Sequence, residues 1–216
     1  MSPEFAKAVD PVFLYVFRLI DQIQEGVQPH PEEERVRVRG MLDQAGAVLG
    51  QTPDWELAKY ALASWIDEML IVEAPWRGND WWKNNSLEWE YFNSQDCSEQ
   101  FYLKAKEAST LRRKDALEVF YVGVVMGFRG MYRDPQRAAA MSEALQLPPN
   151  LDTWARQTAM AIQLRQGRPP IGEQSVVVGG APPLDGPFSL IWASLAGVVF
   201  TMLAALVAIL FLLPSQ

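Results

Sequence analysis

The sequence predicts an all-α protein, with a helical domain over residues 1–166 and one further hydrophobic helix near the C-terminus. Three observations carry this. Apolar residues recur at helical spacing through the first 166 residues, and no stretch alternates convincingly with a period of two. Pairs of a capping residue and proline punctuate the chain at Asp10-Pro11, Thr52-Pro53 and Asp134-Pro135. Residues 188–213 read FSLIWASLAGVVFTMLAALVAILFLL without a charge, where a bilayer core needs roughly 20 residues of helix.

The elements follow in order. Asp10-Pro11 suits the start of a first helix, with Val12, Phe13, Val16, Phe17, Leu19, Ile20 and Ile23 on its apolar stripe and Gly26 as its stop. Pro31 opens a second, with Glu32, Glu33 and Glu34 at its positive dipole end and Gly50 as its limit. Thr52-Pro53 starts a third, which runs through Trp65 to about Val72. Residues 74–85, APWRGNDWWKNN, are turn-rich. A fourth helix is expected over 86–93. Asp96 with Glu99 reads as the capping box of a fifth. A sixth covers 114–132, Asp134-Pro135 caps a seventh, and the last spans 151–166.

Residues 167–187, GRPPIGEQSVVVGGAPPLDGP, read as a Pro/Gly-rich linker without a core. Residues 188–213 form the expected transmembrane helix, and residues 214–216 a short tail beyond it. Within that span Ser189, Ala193, Gly197, Thr201 and Ala205 fall at successive i+4 positions. A ridge of small side chains allows close backbone approach in lipid, so it is a candidate face for self-association or for pairing with another spanning helix. The N-terminus lacks an apolar run behind a basic start, so no cleavable signal is expected. Arg165 and Arg168 precede the span and no Lys or Arg follows it. That asymmetry places the N-terminal domain in the cytoplasm.

Composition removes several function classes. Net charge is −7, which disfavours a nucleic-acid partner. The single cysteine, Cys97, permits no internal disulfide and reads as a buried or half-buried thiol. His30 is the only histidine. One Cys and one His are too few for a structural zinc site, and one His cannot supply a di-iron bundle. The chain lacks the Gly-rich phosphate-binding motifs and GxSxG. Residues 127–130, GFRG, sit in a helical apolar run and read as packing or helix termination. No catalytic residue, metal ligand or cofactor site is therefore expected, and the reading is of a protein without enzymatic activity.

The candidate binding residues are Asp67, Glu68, Trp81 and Trp82. Asp67 and Glu68 are adjacent within the third helix and point about 100° apart, so a central helix cannot turn both squarely to solvent. Two readings stand: a solvated or internally paired charge, or an acidic groove that receives a basic partner segment. Aromatic residues suit interface anchors. Among the tryptophans, Trp76 and Trp89 read as core fillers, and Trp81 and Trp82, in the turn-rich segment, as interface anchors.

Several blocks together resemble the DotU/TssL family, the inner-membrane subunit of type VI secretion systems, with a relative in type IVB systems. They are residues 10–21 (DPVFLYVFRLID), 62–76 (LASWIDEMLIVEAPW), 86–101 (SLEWEYFNSQDCSEQF) and 117–133 (LEVFYVGVVMGFRGMYR). The terminal hydrophobic run fits as well. Arg77 stands between Pro75-Trp76 and Gly78, where the family often has glycine directly. The resemblance implies a cytoplasmic domain of two small helical bundles shaped like a hook, on the bacterial inner membrane. It implies a scaffold role, with an IcmF/TssM-like inner-membrane protein and a baseplate component as partners, and it places the family's acidic pair on Asp67 and Glu68. The alternatives are another tail-anchored adaptor that takes amphipathic helices in a groove, and a membrane-bound enzyme using Asp67 and Glu68.

Overall fold

The structure, a computed structural model, describes residues 1–166. The expected linker, spanning helix, tail and small-residue ridge (Ser189, Ala193, Gly197, Thr201, Ala205) lie outside the described residues. Among the described residues all regular structure is helical, and no helix is long and apolar enough to cross a membrane.

The helix α3 (Pro53–Glu68) is the centre. Apart from Lys59, every residue from Leu57 to Leu70 is buried. A helix apolar nearly all round can only be a core helix, and Ala58, Ala61 and Ala63 let its neighbours approach closely. It packs against α5 (Leu87–Phe92), α6 (Cys97–Thr110) and α7 (Asp115–Val125). A hairpin of α1 (Pro3–Gln24) and α2 (Pro31–Leu49) covers another side, with Phe13 and Phe17 of α1 against the Trp65 ring at 4.7 and 5.5 Å. The remaining elements are α4 (Asn79–Asn84), α8 (Pro135–Leu145) and α9 (Leu151–Gln166).

A second aromatic knot ties the C-terminal helices together. Phe101 of α6 stacks on Phe128 at 3.8 Å and meets Phe120 of α7 edge-on at 4.8 Å. Tyr102 meets Trp154 of α9 edge-on at 5.2 Å. Ring pairs in these geometries add roughly 0.5–1.5 kcal/mol each beyond burial. Nearby, the buried Lys114 Nζ donates to the Leu111 carbonyl at 2.7 Å and to that of Ser109, so it serves the orphan acceptors at the end of α6.

Some boundaries differ from the sequence reading, each for a physical reason. The first helix starts at Pro3, and Pro11 lies inside it. Ser2 caps it, accepting from the Phe5 N–H, and Phe5 and Val9 extend the buried stripe two turns earlier. A proline inside a helix costs a backbone bond, which the continuous stripe outweighs here. The third helix ends in a π turn over Met69–Glu73, where the Ala74 N–H reaches back five residues to the Met69 carbonyl at 2.8 Å. The turn-rich segment contains the short α4.

The Asp96–Glu99 box does not form, although α6 begins where it predicts: Asp96 makes no side-chain capping bond, and Glu99 is held by Arg137 at 2.6 Å. The sixth expected helix stops at Val125 instead of 132. Gly127 takes φ +112, in the region that favours glycine. The Phe128 N–H then folds back to the Gly123 carbonyl at 3.0 Å, and a short 3-10 turn over Gly130–Arg133 follows.

Candidate partner-binding cleft

The end of α3 sends two neighbouring carboxylates in different directions, and each fastens a separate piece of chain. Asp67 is 2 % exposed. Its Oδ1 accepts from the Trp82 indole Nε1–H at 2.8 Å and from the Leu87 N–H at 3.0 Å, and its Oδ2 from the Glu88 N–H at 2.8 Å. It therefore ties α4 and the first turn of α5 to α3. Glu68 is 7 % exposed. It accepts from the Arg129 N–H at 2.7 Å, from the Gly130 N–H at 3.0 Å and from the Arg133 guanidinium at 2.7 Å. It thereby fixes the turn after α7.

Gly130 is required at that turn. It has φ +49, and a side-chain carbon there would sit 2.7 Å from the Ser98 carbonyl oxygen.

Glu88 is the third acid of the site and is also buried. It accepts from the Tyr60 hydroxyl at 2.7 Å, the Ser94 hydroxyl at 3.0 Å and the Cys97 N–H at 3.2 Å. That last bond takes up an open donor at the start of α6 and explains why Asp96 is not needed there.

These acids share a low-dielectric environment. Burial pushes the Asp67 carboxyl up to about 7, and the nearby Glu88 charge adds to the rise, while the three N–H donors pull the other way. Burial, then the charges of Glu88, Asp67 and Glu68, push the Cys97 thiol well above its ordinary value. The same desolvation, with the Glu88 bond second, raises the Tyr60 phenol.

Over this floor lies a cleft of about 470 Å³. Ile71 and Val72 of the π turn form one wall, Lys83 and Asn84 of α4 another, and Ser98 and Arg133 a third. Arg133 bridges Glu68 and the half-exposed Glu73, at 2.7 and 2.6 Å. The mouth therefore presents an exposed valine and Arg133, with Lys83 on the rim and Glu73 holding Arg133 from beside the lining. Among the described residues no group of three acids, cysteines or histidines is placed to hold a metal ion.

The structure brings Asp67 and Glu68 into this cleft as its base, and their hydrogen-bonding capacity is largely used within the fold. Trp82 is fully buried and Trp81 partly buried, whereas Trp89 of α5 is 50 % exposed. The expected roles of Trp82 and Trp89 are therefore reversed. Trp82 is drawn inward by the Asp67 carboxylate and packs on Trp76 at 6.2 Å between ring centres. Sequence reasoning also missed Glu88, Arg133 and Val72 as parts of the site. None of them carried a signal in the sequence pattern: Val72 continues the apolar spacing of the third helix, and only the structure shows it exposed.

The family model described as the type VI secretion system protein DotU matches residues 4–213. The chain belongs to the DotU family. The solved cytoplasmic domain of TssL from Acinetobacter baumannii resembles it with a TM-score of 0.56 and 23 % identity, over 73 % of this chain and 98 % of that one. At that identity the likeness concerns the fold. No curated protein matches significantly. For a DotU-family chain, the all-helical architecture is thus shared with a TssL domain.

Proposed function

We propose that this DotU-family chain is a non-enzymatic scaffold of a type VI secretion system, anchored in the bacterial inner membrane by residues 188–213. Its cleft receives a basic segment of a baseplate component from the cytoplasm, and its anchor associates with a second copy and with an IcmF/TssM-like protein. The observation that carries this is the cleft itself: three buried carboxylates form its floor, and an irregular helical turn holds Val72 exposed at its mouth. Single π turns inside helices are frequent at functional sites. The family match and the uncharged run of residues 188–213 support the anchor. That match supports this reading over an unrelated tail-anchored adaptor.

Asp67 and Glu68 are poor handles for testing the cleft, because removing either strips bonds that hold the fold. Val72 and Glu73 are exposed and form no part of the core. Val72→Asp and Glu73→Lys, introduced singly into the full chain in membranes, are expected to weaken co-purification of the baseplate partner several-fold while thermal unfolding stays as in wild type. Full co-purification by both folded variants would remove the cleft from the proposal.

A further inference from the structure

A second cavity, of about 260 Å³, lies among α6, α7, α9 and the chain between α8 and α9. Cys97 and Ser98 line the cleft at the start of α6, and Lys106 and Ser109 line this pocket toward its end, about 15 Å further along the helix axis. Its floor is made by Trp154 and Thr158, one turn apart on α9 and 4 % and 8 % exposed. The buried Tyr102 meets the Trp154 ring edge-on at 5.2 Å. The Tyr132 hydroxyl donates to the Pro148 carbonyl at 2.6 Å. Floor and loop are thus both fastened to the core.

Each floor residue keeps a polar group that the fold leaves unanswered. Ser109, Thr110 and Ser142 turn their hydroxyls back to a carbonyl three residues earlier. Among the described residues the Thr158 hydroxyl and the Trp154 indole N–H have no such partner. Neither is sealed from solvent as the Ser64 hydroxyl is, so both open on the space that their residues line. Buried polar groups are nearly always paired, and two unpaired ones facing one pocket point to a ligand.

The lining is charged in the opposite sense to the protein, whose net charge is −7. No Asp or Glu contributes to it. Its one ionised side chain is Lys106, which forms no ion pair among the described residues. The acids on neighbouring turns stay outside the lining: Asp152 of α9 holds Arg156, and Glu107 follows Lys106 about 100° around α6. An indole N–H and an ammonium can only donate, so the ligand has to accept. Ala105, Leu117, Leu147 and Pro148 supply apolar walls.

We propose that this pocket binds a carboxylate carried on a compact apolar body the size of one amino-acid residue. The carboxylate accepts from the Trp154 and Thr158 donors, Lys106 supplies the counter-charge at the rim, and the body rests against Leu117 and Leu147. Pockets for drug-sized molecules run from roughly 300 to 1,000 Å³, so this smaller one suits a single residue-sized group. The same chemistry is offered by a free short-chain acid and by the C-terminal residue of a polypeptide. The site does not depend on the partner assigned to the cleft.

The test uses the full-length chain in nanodiscs with isotope-labelled tryptophan, read by the indole N–H resonances. The Trp154 signal is assigned by its loss in Trp154→Phe. N-acetyl-leucine is expected to shift it saturably at millimolar concentration and to leave the Trp82 and Trp89 signals in place. The neutral N-acetyl-leucinamide is expected to bind many-fold more weakly. Lys106→Gln should weaken binding of the acid several-fold and Lys106→Arg retain it. Thr158→Val keeps the side chain's shape and should weaken binding likewise, with thermal unfolding unchanged or higher because the hydroxyl anchors nothing in the fold. Tighter binding of isocaproate than of N-acetyl-Gly-Gly-Leu marks a free acid as the ligand, and the reverse order a chain terminus.

The absence of a saturable shift at Trp154 overturns the site. Equal binding of acid and amide, or of the acid by wild type and Lys106→Gln, overturns the carboxylate.

Discussion

The indole of Trp82 and the carboxylate of Asp67 form a buried pair, joined by an N–H···O bond of 2.8 Å. An aromatic from the turn-rich segment thereby becomes part of the core, because a charged group on the central helix needs donors. Trp82→Phe keeps most of the apolar volume and removes the donor. It is expected to cost about 1–3 kcal/mol, read as a lower urea midpoint with an unchanged slope.

Asp67 also gives the fold a pH dependence of defined sign. Its folded value is raised to about 7, from about 3.9 in an unfolded chain. A carboxyl raised on folding adds most stability below its unfolded value, and that share is lost as pH rises through the folded value. Asp67→Asn cannot titrate and leaves the Glu88 N–H facing an amide. Urea titrations at a series of pH values are expected to show wild type more stable than the variant near pH 4, with the gap narrowing toward pH 7. A gap that widens with pH would contradict the assignment.

Gly130→Ala combines an unfavourable positive φ with a 2.7 Å approach to the Ser98 carbonyl. Such strain costs on the order of 1–3 kcal/mol. Gly40 has open space around it, and Gly40→Ala is expected to be neutral or stabilising because it lies within α2. Thermal melts of the two variants should separate them by several degrees.

Cys97 is predicted to be unreactive in the native state. Burial and the neighbouring acids disfavour its thiolate, and the thiolate is the reacting form. A disulfide reagent at neutral pH should modify it many times more slowly in buffer than in denaturant. Equal rates would show that the thiol is not held among Glu88, Asp67 and Glu68.

Residues Met1–Pro169 form one compact unit. A chain truncated after Pro169 is expected to fold cooperatively, with fluorescence and circular dichroism reporting a single coincident transition.

Much of the helix order was legible because proline and its cap leave a local trace. Pro31, Pro53 and Pro135 each stand at a helix start. Pro11 shows the limit, since the same dipeptide signature lies within a helix when an earlier Ser2-Pro3 competes. The Asp67-Glu68 pair was visible as an anomaly in an apolar helix, but periodicity could not say what answered the charges. Their donors lie 15 to 65 residues away in sequence. Glu88 and Trp89 could not be sorted by pattern, because a helix of six residues is too short to define a face. Gly127 was recognisable as a possible stop, and its positive φ decides that it is one.

The π turn has a geometric corollary. With α-helical bonding from Met69 onward, the same five residues would sweep about 100° each, against the slightly smaller step of the wider turn. Excising one residue between Met69 and Glu73 would let the ladder close normally, and because four α-helical steps sweep about as far as the five smaller ones, the chain that follows would keep its heading. The side chains of the turn itself would change places, and the valine at the mouth would no longer stand there. A shortened variant could thus keep its helices and still present no receptive edge.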